Sequence, residues 1–214
     1  DDPLDRFAKV FHASPCISAI TTFPEGHYVE INRHFTEVLG YTREELLGRT
    51  ALEVGVWVHP PQRAAIIEAI QRGEPVRGAE CLIRAKSGRI CTILTSVENI
   101  EFAGRPCLLF ASVDITDRIR AAKLQSGSRA VLERIARNEP LPATLDALLR
   151  VIEAQFPEML CWVLLLDPAT QTLRHGAAPS LTHDFIQTLD GIPIGPDQGS
   201  CGAAAYLPQP VVTD

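Results

Sequence analysis

The sequence predicts an α+β protein: an antiparallel sheet with helices on one face, then a helical linker, then a smaller α+β segment. Three observations predict it. Two short strand-like runs open the chain and three longer consecutive ones close its first half, with helical patterns between them. The apolar run CLLFASVD passes directly into the charged, helix-favouring run DRIRAAKLQ. An amphipathic helix precedes two further strand patterns in the last third. Strands gathered on both sides of a helical middle fit one sheet covered on one face. Such a layer encloses an apolar space in which a small ligand can sit.

Taken in order, residues 3–12 place Leu4, Phe7, Ala8, Val10 and Phe11 at helical spacing, and Ser14-Pro15 ends that helix. Residues 16–22 and 27–31 read as strands joined by the turn Pro24-Glu25-Gly26. Asn32 opens a short helix with Phe35, Val38 and Leu39 on one face, and Gly40 stops it. Thr42 and Glu45 form a capping box for the next helix, with Leu46 and Leu47 in it and Gly48 at its end. Residues 50–58 are ambiguous. Pro60-Pro61 starts a stronger helix over 62–72, with Ile66, Ile67 and Ile70 inward. Strands follow at 76–85, 89–100 and 107–113, with turns at Lys86-Ser87-Gly88 and Ala103-Gly104-Arg105.

Beyond them, Ile115, Ile119 and Ala122 begin a heptad seam that breaks at Ser126-Gly127-Ser128, so a short paired helix with a joint is expected. Residues 144–156 form a helix through Leu145, Leu148, Leu149, Ile152 and Phe156. A buried strand is expected at 161–166, a second at 172–176 and a helix at 181–189. A Gly-rich stretch follows at 192–206, and Val211-Val212 reads as the start of another strand.

Of the 214 residues 46% are hydrophobic and 21% charged, enough for real cores in one large or two small domains. A net charge of −6 argues against a nucleic-acid partner. No run approaches the roughly 20 apolar residues that span a bilayer. The six cysteines form no CxxC pair and most lie in apolar runs, so free thiols in a reducing cytoplasm are expected. The chain opens Asp-Asp without Met, which suggests an upstream segment.

The motifs Ser14-Pro15, Glu25-Gly26, Asn32, the block Gly40-Tyr41-Thr42-Arg43-Glu44-Glu45-Leu46-Leu47-Gly48, Glu80, Lys86-Ser87-Gly88 and Asp114-Ile115-Thr116 occur in that order. Residues 7–117 thereby resemble a PAS domain. The resemblance implies a sensor with a five-stranded antiparallel sheet, joined through Asp114, Ile115 and Thr116 to a signalling helix. Further on, Val163-Leu164-Leu165-Leu166-Asp167, the run from Leu173 through Arg174, His175, Gly176, Ala177, Ala178 and Pro179 to Ser180, Ile194-Gly195-Pro196 and Gly199-Ser200-Cys201-Gly202 resemble the N-terminal part of a GAF domain. Such GAF domains stand beside PAS domains in bacterial cyclic-di-GMP enzymes and sensor histidine kinases, and the family expects further strands after Asp214. The expected organisation is a cap or dimer helix at 1–13, a PAS-like sensor at 14–116, a signalling helix at 117–139 and an incomplete GAF-like domain at 140–214.

The PAS resemblance speaks against two cofactors. Haem-binding members carry a histidine in the long helix, and that position falls near Ile66 here. Flavin-adduct members carry a cysteine after the Gly-Tyr block, and residues 50–58 hold none. The cofactor therefore stays unnamed. Candidate ligand-binding residues are Asn32, Trp57 (by stacking on a planar ligand), His59, Ile66, Thr92 and Ser112. Asp114, Ile115 and Thr116 are the candidate relay. His59, just before a helix, also reads as a cap or surface residue, and Trp57 as core.

No constellation reads as catalytic. Gly199-Ser200-Cys201-Gly202 is a small-residue turn entering a helix; a nucleophilic Cys201 needs a base, for which His175 and His183 are available in sequence. The same turn offers backbone amides to an anion. The expected whole is a homodimeric, cytoplasmic sensor controlling an output enzyme beyond residue 214. That output is a diguanylate cyclase or cyclic-di-GMP phosphodiesterase, with a histidine kinase, or a ligand-free dimerisation scaffold, as the alternatives. The first helix either covers its own sheet or joins a partner through Leu4, Phe7 and Phe11.

Overall fold

The computed structural model describes residues 3–156, 158–207 and 209–212, with side chains from residue 6 onward. The chain divides into two compact units, 1–119 and 120–214.

In the first unit α1 (Pro3–Ala13) leads into β1 (Ile17–Thr22) and β2 (Tyr28–Ile31). Four helices follow: α2 (Arg33–Leu39), α3 (Arg43–Leu46), α4 (Ala51–Val54) and α5 (Pro60–Gln71). Then come β3 (Val76–Arg84), β4 (Ile90–Phe102) and β5 (Arg105–Asp114). The five strands form one antiparallel sheet in the order β2-β1-β5-β4-β3, so the first and last strand groups meet at β1–β5. This is the α+β architecture expected from the sequence.

Strand alternation assigns the two faces. On β4, Cys91, Ile93, Thr95 and Val97 are buried, while Thr92, Leu94 and Ser96 are half-buried on the other side. The inner face packs Ile17, Ala19, Ile83 and Ile93 against Phe35 and Leu39 of α2, Leu46 of α3, Ala51 of α4 and Ile66 and Ile70 of α5. The outer face carries a smaller cluster in which Phe11 of α1 packs with Ile20 and Cys107. Phe7 stacks on Phe11 at 5.6 Å and lies 5.7 Å from Phe102. Helix α1 thus covers its own sheet; the Leu4 side chain lies outside the described residues.

The ambiguous stretch 50–58 is resolved by a second capping box. Thr50 Oγ1 accepts from the Glu53 amide at 3.2 Å, Glu53 Oε2 accepts from the Thr50 amide at 2.6 Å, and Gly55 stops the turn with φ +77°. After it, Trp57 bridges to Ile83 and the Val58 amide donates to the Leu82 carbonyl at 3.1 Å, so this segment lies along the edge of β3.

The expected break at 126–128 does not occur. Helix α6 runs from Thr116 to Ala136, beginning one residue after β5 ends. An interior glycine costs a helix about 1 kcal/mol but does not forbid it. In the second unit the Val151 methyls fill the place where a Cβ on Gly127 would stand, so the glycine serves helix packing rather than a joint. Ile119 is half-buried, while Leu124, Leu132 and Ile135 are exposed.

The second unit continues with α7 (Leu141–Gln155), β6 (Val163–Asp167), β7 (Thr172–Ala177), α8 (His183–Leu189), β8 (Ile192–Pro193) and α9 (Gly199–Tyr206). Its strands pair antiparallel in the order β6-β7-β8. Strand β6 is not the buried strand its composition suggests: it is an edge, with Leu165 and Leu166 exposed. Val211 and Val212 form no strand.

Candidate functional site

Between the inner face of the sheet and its helices lies a cavity of about 50 Å³. Ile17, Ala19 and Thr21 line it from β1, Ile93 and Thr95 from β4, and Phe110 and Ser112 from β5; Leu39, Ala51, Trp57 and Arg63 close it from the helical side. A water molecule occupies roughly 30 Å³ in the liquid, so the cavity suits one or two waters or a ligand of a few heavy atoms. Drug-sized ligands fill roughly 300–1,000 Å³.

Two polar groups stand at opposite parts of this apolar lining. The first is a pair of hydroxyls: Ser112 Oγ donates to Thr95 Oγ1 at 2.8 Å, both residues buried. The second is Arg63 beside Tyr28. The Arg63 guanidinium occupies the place a side chain at Gly26 would take, and Gly26 has φ +83°. Burial lowers the Arg63 pKa, and the Tyr28 phenol acts back on it; burial in turn raises the Tyr28 pKa, opposed by Arg63. Gly26→Ala is expected to destabilise the first unit by about 1–2 kcal/mol, from left-handed strain in a residue that now carries a Cβ. The same change should push Arg63 off the cavity. Thermal unfolding of Gly26→Ala beside the parent checks the first effect, and a Gly26→Ala chain as stable as the parent would remove it.

Of the sequence-predicted ligand residues, Trp57 and Ser112 line the cavity. Asn32 does not: it is 1% exposed and all its polar atoms are used. Its Oδ1 accepts from the amides of Ser18 (3.0 Å) and Phe35 (2.9 Å), and its Nδ2 donates to the carbonyls of Phe11, Ser14 and Cys16. Asn32 is therefore the clasp between α1, β1 and α2. His59 is the residue before α5, makes no capping bond with its side chain, and lies outside the lining. Ile66 is core, facing β3 rather than the cavity. Thr92 is on the other face of β4, because alternation that buries Thr95 turns Thr92 outward. Thr95, Tyr28 and Arg63 complete the site and were not singled out from sequence. A signal for Arg63 existed: with Ile66, Ile67 and Ile70 it continues one inward helical stripe at spacings of three and four.

The predicted relay residues do converge. The Thr116 amide donates to Asp114 Oδ1 at 2.9 Å, Thr116 Oγ1 accepts from the Thr92 amide at 2.9 Å, and the Ile115 amide donates to the Thr92 carbonyl at 2.9 Å. Arg89 reaches Asp114 Oδ2 at 3.4 Å and the Val38 carbonyl of α2 at 2.9 Å. Thr92 thus belongs to this joint through its backbone. The hydroxyl pair of the cavity lies on β4 and β5, the same two strands that carry the joint.

No hydrogen bond joins Cys201, in α9, to His175 or His183 among the described residues; His183 pairs with Gln187 at 3.0 Å. All six cysteines are free, and burial raises the Cys81 and Cys107 thiol pKa values, which keeps them unreactive. Among the described residues no cluster of three His, Cys, Asp or Glu could hold a metal, and no helix is long and apolar enough to cross a membrane.

A family model described as the PAS fold matches residues 11–120. Among characterised proteins, the methyl sulfide methyltransferase-associated sensor of Methanosarcina acetivorans is 30% identical over 173 residues, covering 78% of this chain and 17% of that protein. The sensor protein TdiS of Thauera aromatica is 28% identical over 151 residues, covering 67% of this chain and 27% of that protein. The chain therefore spans only about a sixth to a quarter of these relatives' lengths. Among solved structures, the PAS domain of an HTR-like protein from Haloarcula marismortui superposes with a TM-score of 0.44 at 23% identity, over 52% of this chain and 91% of that one. With the family match covering just over half of the chain, from Phe11 at the outer face through the first turn of α6, this protein belongs to the PAS fold family.

Proposed function

We propose that the chain is the sensory part of a longer signalling protein, in which occupancy of the cavity biases the β5–α6 joint and helix α6 carries the bias onward. The observation that carries this reading is the placement of the Thr95–Ser112 pair on the two strands bonded to Asp114, Ile115 and Thr116. A ligand that breaks or tightens that pair acts two residues from Asp114, which is the differential contact a population shift needs. Both curated relatives are named as sensors, and their alignments are too long to end with the PAS match, so they reach into the second unit.

On this reading residues 14–116 are the sensor, 117–139 the signalling helix and 140–214 the N-terminal part of a GAF domain. The output is a diguanylate cyclase or cyclic-di-GMP phosphodiesterase, by the GAF resemblance, with a histidine kinase as the alternative. The protein acts as a cytoplasmic homodimer; the exposed Leu124, Leu132 and Ile135 of α6 supply apolar surface for a partner helix. The small cavity favours one other reading, a dimerisation scaffold whose core is filled by side chains.

Hydrogen exchange separates the two. Ser112→Val removes the hydroxyl pair at constant fold. In a sensor it changes exchange of the 116–125 amides by about threefold or more, with β1 unaffected. In a scaffold those amides keep their rate. Assays of the full-length protein with GTP, cyclic-di-GMP and ATP then distinguish the outputs.

A further inference from the structure

We infer that the cavity takes a small monocarboxylate of two or three carbons, its carboxylate held by Arg63 and the Tyr28 hydroxyl and its alkyl end against Ile17, Ala19 and Val56. The inference rests on the sensory reading above and names the ligand class for that same site.

The argument starts from what Arg63 lacks. Several other arginines of the first unit have a carboxylate: Arg43 pairs with Glu30 at 2.7 Å, Arg72 with Glu74 at 2.8 Å and Arg89 with Asp114 at 3.4 Å. Arg63 has none among the described residues, yet it is half-buried and lines an otherwise apolar cavity. Partial burial costs this unpaired guanidinium part of its hydration, and a glycine with φ +83° leaves the room in which it sits. Guanidinium is also the group best matched to a carboxylate, through two parallel hydrogen bonds.

Tyr28 supports the same assignment. The residue is 5% exposed, and among the described residues no hydrogen bond engages its hydroxyl. Among the described residues no buried side-chain oxygen or nitrogen is left as an orphan, so that hydroxyl opens onto space rather than onto packed atoms. Its ring is fixed edge-on to Phe35 at 6.0 Å, and it lines the cavity with Arg63. The remaining lining is aliphatic and aromatic surface, the latter from Phe35, Trp57 and Phe110, apart from Thr21 and the self-paired Thr95 and Ser112. One charged donor, one phenol and an apolar end describe a short carboxylate. The volume of about 50 Å³ excludes larger acids unless the head group projects past Arg63 toward solvent.

The test is a titration of the whole chain with sodium propionate and with propanamide, its neutral isostere, followed by amide chemical shifts of β1 and β4. Propionate is expected to saturate and propanamide not to. Arg63→Met should weaken propionate by about tenfold or more, Arg63→Lys by less, and Tyr28→Phe by about threefold, as expected for charge-assisted and neutral hydrogen bonds. Equal binding of the amide, an unchanged affinity in Arg63→Met, or no saturable binding of propionate overturns the inference. Arg63→Lys and Tyr28→Phe decide the matter if Arg63→Met does not fold. Hydrogen exchange of 116–125 in the same samples keeps the two readings apart. Propionate binding without any change there leaves the carboxylate site and removes the sensory role. A response of those amides to Ser112→Val without propionate binding does the reverse.

Discussion

Asn32→Ala is expected to destabilise the first unit by about 3–5 kcal/mol, the largest single-residue loss outside the apolar core. The N-cap contributes about 1 kcal/mol of this. The rest comes from what the side chain leaves behind. The Ser18 amide sits on a buried strand, and the carbonyls of Phe11, Ser14 and Cys16 converge on one Nδ2. Water cannot enter a site where Asn32 is 1% exposed, so these groups lose their partners without replacement. Asn32→Asp is expected to be nearly as damaging, although it keeps the oxygen that caps α2. It sets a carboxylate oxygen where three carbonyls require a donor. Ser would keep the cap and lose the clasp. Urea unfolding followed through the β1 amides measures all three. A loss within about 1 kcal/mol for Asn32→Ala would mean the clasp is incidental.

Asn32 also shows how far the sequence carried and where it stopped. Its place before an apolar helical stripe announced the cap, because capping chemistry is local in the chain. The other four bonds reach back 14 to 21 residues, to the end of α1, the loop after it and the start of β1, whose path depends on how α1 lies on the sheet. No local pattern encodes that path, so a polar residue near a cavity looked like a ligand contact. The same division runs through the rest of the site. The succession of strands along the chain and the helical middle are legible because burial alternates with period two on β4 and apolar residues recur at three and four on α2 and α5.

Which threonine faced inward was not legible. Thr92 and Thr95 are three apart and must lie on opposite faces, but TILTSV offers apolar residues to both. Only the packing of Ile93 and Cys91 on the helices settles the register. Four residues carry too little periodicity to announce helix α4, although its Thr50–Glu53 box has the same form as the Thr42–Glu45 box. A charge on an apolar helical stripe, such as Arg63, is ordinarily a solvated edge of that stripe. Here it is the signal.

Asp114→Ala combined with Thr116→Val is expected to release the start of α6 and leave the sheet standing. Together the changes remove the side-chain contacts that tie the two strand ends to α6. Asp114→Ala frees the Thr116 amide and the Arg89 guanidinium; Thr116→Val leaves the Thr92 amide without its acceptor. Singly they should cost about 1–2 kcal/mol each. Because both act on Thr116, the double variant should depart from additivity by about 0.5 kcal/mol or more. The sign of the acid response follows from the same contacts. Burial alone would raise the Asp114 pKa, but the hydrogen bonds from Thr116 and the Arg89 charge outweigh it and hold the carboxyl below its usual value. Its contribution is therefore complete above the unfolded-chain pKa of about 3.9 and is lost as pH falls through the lower folded-state value.

Asp114→Asn keeps an acceptor for the Thr116 amide and loses only the ion pair, so it should abolish this acid step while sparing much of the joint. Amide exchange at 116–119 reads the outcome. In the double variant it should rise by about tenfold or more, with β1 and β5 protected as before. A uniform rise across the unit would show that the joint merely stabilises the fold. A local rise would show that the strand ends hold α6 by an interaction of a few hydrogen bonds, which is the scale a small ligand in the cavity can tip.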